Sequence, residues 1–409
     1  MHETLLGEIG IAIVSALAVG VVMHRLHQPI ILGYLIAGAL IGPEIGLKWV
    51  ANPASIEIIS QIGLILLLFI IGLEMELEPL VAAGRQVVIS GIGQFSLCVG
   101  LGLAFFPLIG FRNFGESSAG LYFSLTCALS STAIVVKQLY DKFELDTLPG
   151  RITLGVLIIQ DVWAILILAF QPDFAHPRCD LLAMAIVKSV VLVAVGFLLS
   201  RYGLRRIYLW VSKSPEMVVA ISIGWCALIA GMAGAIGLSK EMGALIAGIS
   251  ISTFPYSLHV KAKTLPLRDF FLTLFFISLG MKIVKPDTHL IVLSLVVMGF
   301  VVASRFLSVY PLLAILGAGR RTCFITSLNL SQISEFSLVI ASLGVGYGHI
   351  RSDVFSVLTY SMAFTSVLSS YLIKYNHQIF VAFDGFIGRL GSSRAAEEAD
   401  EAERKKAYP

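Results

Sequence analysis

Apolar runs long enough to cross a bilayer recur from one end of this chain to the other, and no other feature restricts its fold as much. A hydrocarbon core takes about 20 apolar residues of helix per crossing. Thirteen segments read this way: 8–24, 29–46, 56–76, 86–110, 117–139, 149–170, 181–203, 216–233, 239–252, 268–285, 288–316, 322–346 and 352–376. Lipid leaves exposed backbone groups unsatisfied, so runs of this length read as helices. Only 13% of the 409 residues are charged and 57% are hydrophobic, whereas a soluble domain carries about 25% charged residues. The expected fold class is therefore an all-α polytopic membrane protein with thirteen transmembrane helices. A net charge of +3 is too small to suggest a nucleic-acid partner; the partner implied is the lipid bilayer. Five scattered cysteines without a CxxC pair indicate neither a disulfide framework nor a zinc site. The first apolar run follows Glu3 and Glu8 rather than a basic segment, so no cleavable signal peptide is expected.

Lys and Arg set the orientation. With the N-terminus outside, the inner connections hold fourteen Lys and Arg and the outer ones eight. The expected topology is N-terminus outside and C-terminus cytoplasmic. Beyond the last span, Ile379, Phe380, Phe383, Phe386, Ile387 and Leu390 recur at helical spacing, as in a helix lying on the inner membrane face. Residues 392–409 read as a solvated tail.

The chain repeats itself. Leu35-Ile36-Ala37-Gly38 returns as Leu245-Ile246-Ala247-Gly248, the run from Leu66 to Met75 resembles that from Leu272 to Met281, and Leu129-Ser130-Ser131 returns as Leu330-Ser331-Gln332. The offsets stay close to half the chain. Each pair lies seven spans apart, an odd number, so the expectation is two inverted six-helix repeats joined by span seven. Such repeats place a transport site at mid-membrane where they meet.

Three charges lie deep within apolar runs: Asp161, Arg305 and Glu335. An ionisable group there costs at least a few kcal/mol unless it is paired or functional. Asp161 reads as a site residue. Arg305 reads as a fixed, charge-compensating partner for Asp161 or Glu335, and Glu335 is open to either use. Polar clusters interrupt spans five (Ser130-Ser131-Thr132) and twelve (Asn329 to Glu335). Hydroxyls back-bonded to their own helix would account for them. Two repeat-related broken helices crossing at mid-membrane, their hydroxyls facing an ion, account for them better.

These residues also resemble a known family. Phe69-Ile70-Ile71-Gly72-Leu73-Glu74, Ala128 to Ile134, Gln160-Asp161, Leu274 to Met281 and Gln332-Ile333-Ser334-Glu335-Phe336 are similar to the motifs of Kef-type potassium/proton antiporters, within the monovalent cation/proton antiporter superfamily. The resemblance runs over residues 10–376 and implies a homodimer working as an elevator. Its divisions would be 1–85 (scaffold helices 1–3), 86–170 (core helices 4–6), 171–215 (linker helix 7), 216–287 (scaffold helices 8–10), 288–376 (core helices 11–13), and 377–409 (cytoplasmic amphipathic helix and charged tail). It implies that Asp161 carries the ion, with Gln160, Ser130, Ser131 and Thr132 around it, and that Gln160 replaces the first acid of an Asp-Asp pair. Arg305 falls where relatives usually have lysine. It also implies a bacterial inner membrane, K⁺ or Na⁺ as transported ion at Asp161, and no cofactor.

A desolvated carboxylate is driven toward neutrality, and a proton and a cation compete for the same oxygens. Gln160 cannot titrate and arginine keeps its proton, so electroneutral 1:1 exchange is expected. The Gln160-Asp161 pair favours K⁺ by resemblance, with a Na⁺/H⁺ antiporter as the alternative and a channel-like or sensor protein as the remoter one. Kef systems carry a soluble nucleotide-binding domain after the membrane part. No GxGxxG segment follows the last span here, so a separate cytoplasmic regulatory subunit is a partner to look for. The connection Leu258 to Asp269 is basic where glutathione-gated members are acidic, which argues against that gating. Glu74, at a span end, reads as structural. HExxH and GxSxG motifs are missing, and no enzyme activity is expected.

Overall fold

A computed structural model describes residues 5–50, 52–74, 84–113, 118–174, 179–211, 214–252 and 257–391. Among these every regular element is helical, as the backbone requires when no water is at hand. Among the described residues nine helical stretches are long and apolar enough to cross a membrane, and three shorter apolar ones (Ile30–Ile41, Asp269–Met281 and Glu335–Gly346) accompany them.

The first group is α1 (Leu5–Arg25), α2 (Ile30–Ile41) and α3 (Pro53–Glu74). Then come α4 (Arg85–Leu108), α5 (Ala119–Cys127), α6 (Thr132–Asp141) and α7 (Leu148–Phe170). Next, α8 (Cys179–Leu199) runs through a π-helical turn at Ser200–Leu204 into α9 (Arg205–Val211). It is followed by α10 (Pro215–Ala235), α11 (Lys240–Ser252) and α12 (Ser257–Met281). The chain ends on α13 (Thr288–Ile315), α14 (Arg320–Asn329), α15 (Glu335–Gly346), α16 (Ser352–Lys374) and α17 (Asn376–Gly391).

The densest packing joins α1, α2, α3, α10, α11 and α12 on one side, and α4, α5, α7, α13, α14, α15 and α16 on the other. In the first group two helix pairs touch backbone to backbone. Gly38 of α2 meets Gly280 of α12, and Gly72 of α3 meets Gly248 of α11; a Cβ at any of the four would overlap a main-chain atom of the facing helix. Small residues permit this approach in a membrane, where packing rather than water exclusion drives association. In the second group Asp287 caps α13 by accepting from Leu290 N at 2.7 Å, and the Thr147 hydroxyl caps α7 by accepting from Gly150 N at 3.2 Å.

One expectation needs correction. The segment from Leu258 to Asp269 is not a connection, because the helix of α12 already begins at Ser257. Spans five and twelve are broken as expected, each into two helices separated at 128–131 and 330–334. The helix expected after the last span is present as α17. Phe380 and Phe383 lie against Phe324 of α14 with ring centres 5.6 and 4.6 Å apart, and Asp384 pairs with Arg320 at 3.3 Å. The tail at 392–409 and the side chain of Glu74 lie outside the described residues.

Candidate functional site

The two interruptions lie against each other. Ser130 Oγ donates to the Leu330 carbonyl at 2.8 Å, and Ser334 N donates to the Leu129 carbonyl at 3.1 Å. Ser337 Oγ donates to the Thr126 carbonyl at 2.7 Å, and Gln332 Nε2 reaches the Ser131 carbonyl at 3.4 Å. A broken helix exposes amides and carbonyls that must find partners when buried, and here each break supplies partners to the other. The hydroxyls make the breaks affordable: Ser131 caps α6 by accepting from Ile134 N at 3.3 Å, and Ser334 caps α15 by accepting from Phe336 N at 3.2 Å.

Four helix ends therefore converge. The C-termini of α5 and α14 carry partial negative charge, and the N-termini of α6 and α15 partial positive charge. The ionisable residues sort accordingly. Arg305, fully buried, donates through Nη2 to the Cys127 carbonyl at 2.7 Å and through Nε to the Leu330 carbonyl at 2.9 Å. Its Nη1 lies 3.1 Å from Cys98 Sγ. Glu335 occupies the first turn of α15. Asp161, on α7, faces Thr132 at the start of α6, whose hydroxyl lies 3.3 and 3.5 Å from the two carboxylate oxygens.

This placement corrects the expected role of Arg305. Among the described residues it pairs with neither carboxylate; the negative ends of two helices hold its charge instead. Asp161 consequently has no ion-pair partner among the described residues, and it is partly accessible. Glu335 lies within electrostatic reach of Asp161 and beside the Ser131 hydroxyl, and its buried Oε2 has no hydrogen-bond partner.

Gln160 stands next to Asp161 in sequence but is buried in a different setting. Its Oε1 accepts from Ser130 N at 2.7 Å, and its Nε2 donates to Gln94 Oε1 at 2.6 Å. Gln94 in turn donates to the Ala128 carbonyl at 3.1 Å. So placed, Gln160 holds the first interruption in shape. The sequence reading overlooked Gln94, Cys98 and Ser308, the last 3.2 Å from Cys98 Sγ. An amide amid the apolar middle of α4 was the available signal for Gln94; nothing in the sequence marked the other two. Among the described residues no group of three His, Cys, Asp or Glu side chains could hold a metal ion. The oxygens gathered near Asp161 are of the hard kind that suits alkali cations.

Residues 11–374 match the family model described as sodium/hydrogen exchanger, transmembrane. The chain is 29% identical over 381 residues to K(+) efflux antiporter 4 of Arabidopsis thaliana, covering 90% of this chain and 63% of that protein. It is 28% identical over 383 residues to the Na(+)/H(+)-K(+) antiporter GerN of Bacillus cereus, covering 90% and 95%. Against the glutathione-regulated potassium-efflux protein KefC of Escherichia coli it is 29% identical over 398 residues, covering 95% and 61%. The chain thus spans under two thirds of the length of the plant relative and of KefC. Its fold is similar to that of the sodium proton antiporter MjNhaP1 from Methanocaldococcus jannaschii, with a TM-score of 0.69 at 17% identity, covering 90% of this chain and 96% of that one. These relatives agree with the Kef-type resemblance carried by the motifs. With nearly the whole apolar part of the sequence inside the matched region, the chain belongs to the sodium/hydrogen exchanger transmembrane family.

Proposed function

We propose that the protein exchanges one monovalent cation, K⁺ in preference to Na⁺, for one proton, with Asp161 as the shared binding group. One observation carries this reading. The intramembrane arginine is engaged by helix carbonyls, so Asp161 has no counter-charge among the described residues, and a carboxylate at such depth then takes up either a proton or a cation. The Thr132 hydroxyl and the accessible side of the carboxylate supply oxygens for a dehydrated alkali ion. Gln160 cannot titrate and Arg305 keeps its proton, so only one charge is traded and the exchange is electroneutral, provided that Glu335 holds one protonation state through the cycle.

The architecture proposed with it has thirteen crossings in two inverted repeats. The N-terminus is outside and the C-terminus cytoplasmic, in a bacterial inner membrane. The group of α1–α3 and α10–α12 would form the scaffold and the face of a homodimer. The group of α4–α7 and α13–α16 would form a core that carries the ion past it as an elevator. The two equivalent glycine contacts, α2 on α12 and α3 on α11, support a twofold relation between the halves. The names of the K⁺ efflux relatives support K⁺. The name of GerN supports a second reading in which Na⁺ is also carried.

Proteoliposomes with an imposed pH gradient test the proposal. Saturable dissipation by K⁺, weaker with Na⁺ and indifferent to membrane voltage, is the expected result. Voltage-driven flux without proton movement would replace the exchanger with a channel.

A further inference from the structure

Two cavities open side by side where α1, α6 and α16 end, and they share His27, Gln28, Lys137 and Gln138. The first, of about 270 Å³, is mainly apolar and is walled by Ile30, Ile31, Tyr34, Ile134 and Leu272, with Asp269 as its one acid. The second, of about 330 Å³, is bordered by Lys137, Lys142 and Lys374, with Asp141 as its one acid. The cleft divides the group holding α2 and α12 from the group holding α6 and α16.

The charges in the mouth are unequal in their availability. Lys142 is held by Glu144 at 2.9 Å, by Asn376 Oδ1 at 2.7 Å and by the Ile373 carbonyl at 3.0 Å, and it serves to fasten α6 to the end of α16. Lys137 has no ion-pair partner among the described residues, and Lys374 has only the Tyr375 ring, 5.6 Å from its Nζ. Both are exposed. The N-terminus of α2 begins behind Pro29 with no side-chain cap, so its positive end faces the apolar cavity beside Ile30 and Ile31. A buried Gln28 Oε1 at the junction lacks a partner.

A cationic mouth continuous with an apolar slot is complementary to an anionic amphiphile. We propose that this cleft binds a membrane phospholipid with an anionic headgroup. Its phosphate is held by Lys137 and Lys374, and one acyl chain lies in the slot along Ile31, Tyr34 and Leu272. The level of the cleft suits this occupant, since the ends of three apolar helices place the lysines where headgroups lie and the slot where chains begin. A free phosphate would satisfy the mouth alone and leave the slot empty. The slot also borders Ala133, the residue after Thr132, so an occupant would lie against the start of α6. That consequence for exchange rests on the proposed function; the binding itself does not.

Native mass spectrometry of the purified full chain, titrated with phosphatidylglycerol, phosphatidylcholine or glycerol phosphate, separates the cases. Phosphatidylglycerol is expected to bind at least tenfold more tightly than either other probe. Charges near an anionic headgroup contribute roughly 5-fold each, so Lys137→Gln with Lys374→Gln should weaken phosphatidylglycerol about 25-fold and leave phosphatidylcholine unchanged. Ile30→Asn should weaken the lipid and not glycerol phosphate. Glycerol phosphate binding as tightly as the lipid would transfer the site to a soluble phosphate. Equal binding of the two lipids, or an unchanged titration in the double variant, would overturn the proposal. Because the readout is binding, a protein that transports nothing still answers the question.

Discussion

Arg305 and Leu330 are joined by a 2.9 Å hydrogen bond from the guanidinium Nε to the carbonyl at the broken end of α14, and the same guanidinium holds the end of α5 through Cys127. One planar fork thus closes both interruptions, a geometry that a lysine ammonium cannot copy. Arg305→Ala leaves the buried Cys127 carbonyl without its donor, at about 1–3 kcal/mol, and leaves the Leu330 carbonyl to Ser130 Oγ and Gln332 N. Its melting temperature in detergent should fall sharply. Arg305→Lys should keep exchange while melting at a temperature between the two.

Asp161→Asn should abolish proton-coupled cation flux while leaving expression and melting temperature near those of the parent. Thr132→Ala removes one hydroxyl from the carboxylate and should raise the half-saturating K⁺ concentration about 3–10-fold, the worth of one ordinary hydrogen bond. If proton and cation share Asp161, half-saturation should also climb about tenfold for each pH unit below the titration midpoint of the cation-free site. Flux measured over a grid of pH and K⁺ concentrations checks both.

Gln160→Leu should separate shape from ion binding. It orphans Ser130 N and Gln94 Oε1, costing about 1–3 kcal/mol, so the variant should melt earlier. The cation preference of whatever protein remains folded should not change. A reversed K⁺ to Na⁺ ratio would make Gln160 an ion ligand after all.

Glu335 is the second carboxylate within reach of Asp161, so the stoichiometry turns on it. Glu335→Gln fixes it uncharged. If Glu335 holds one state through the cycle, the variant's exchange should still ignore membrane voltage, whatever its rate. Voltage dependence gained on this substitution, read with valinomycin-clamped proteoliposomes, would show that two acids take part.

Much of this site was legible in the sequence because the bilayer makes polar residues conspicuous. Ser130, Ser131 and Thr132, the run from Asn329 to Glu335, and the acid at 161 stand out against apolar neighbours, and the structure brings them to one place. The partner of Arg305 was not legible. Opposite charges suggested a salt bridge, but the groups that hold this side chain are backbone carbonyls, which every residue carries and no sequence pattern marks. Gln94 and Cys98 escaped for a related reason: their roles depend on which helix faces which. The basic run before Asp269 read as a connection because Pro266 and the three cations Lys261, Lys263 and Arg268 break its apolar pattern. The backbone of α12 nevertheless passes through it as helix.

The glycine contacts of α2 with α12 and of α3 with α11 act like rivets. Where main chains touch directly, no rotamer can adjust and no lipid tail can slip between, so these four helices are locked at fixed spacing. Any sliding within the protein is thereby steered to the seams that have side chains to repack, and one of those is the cleft flanked by His27 and Lys137.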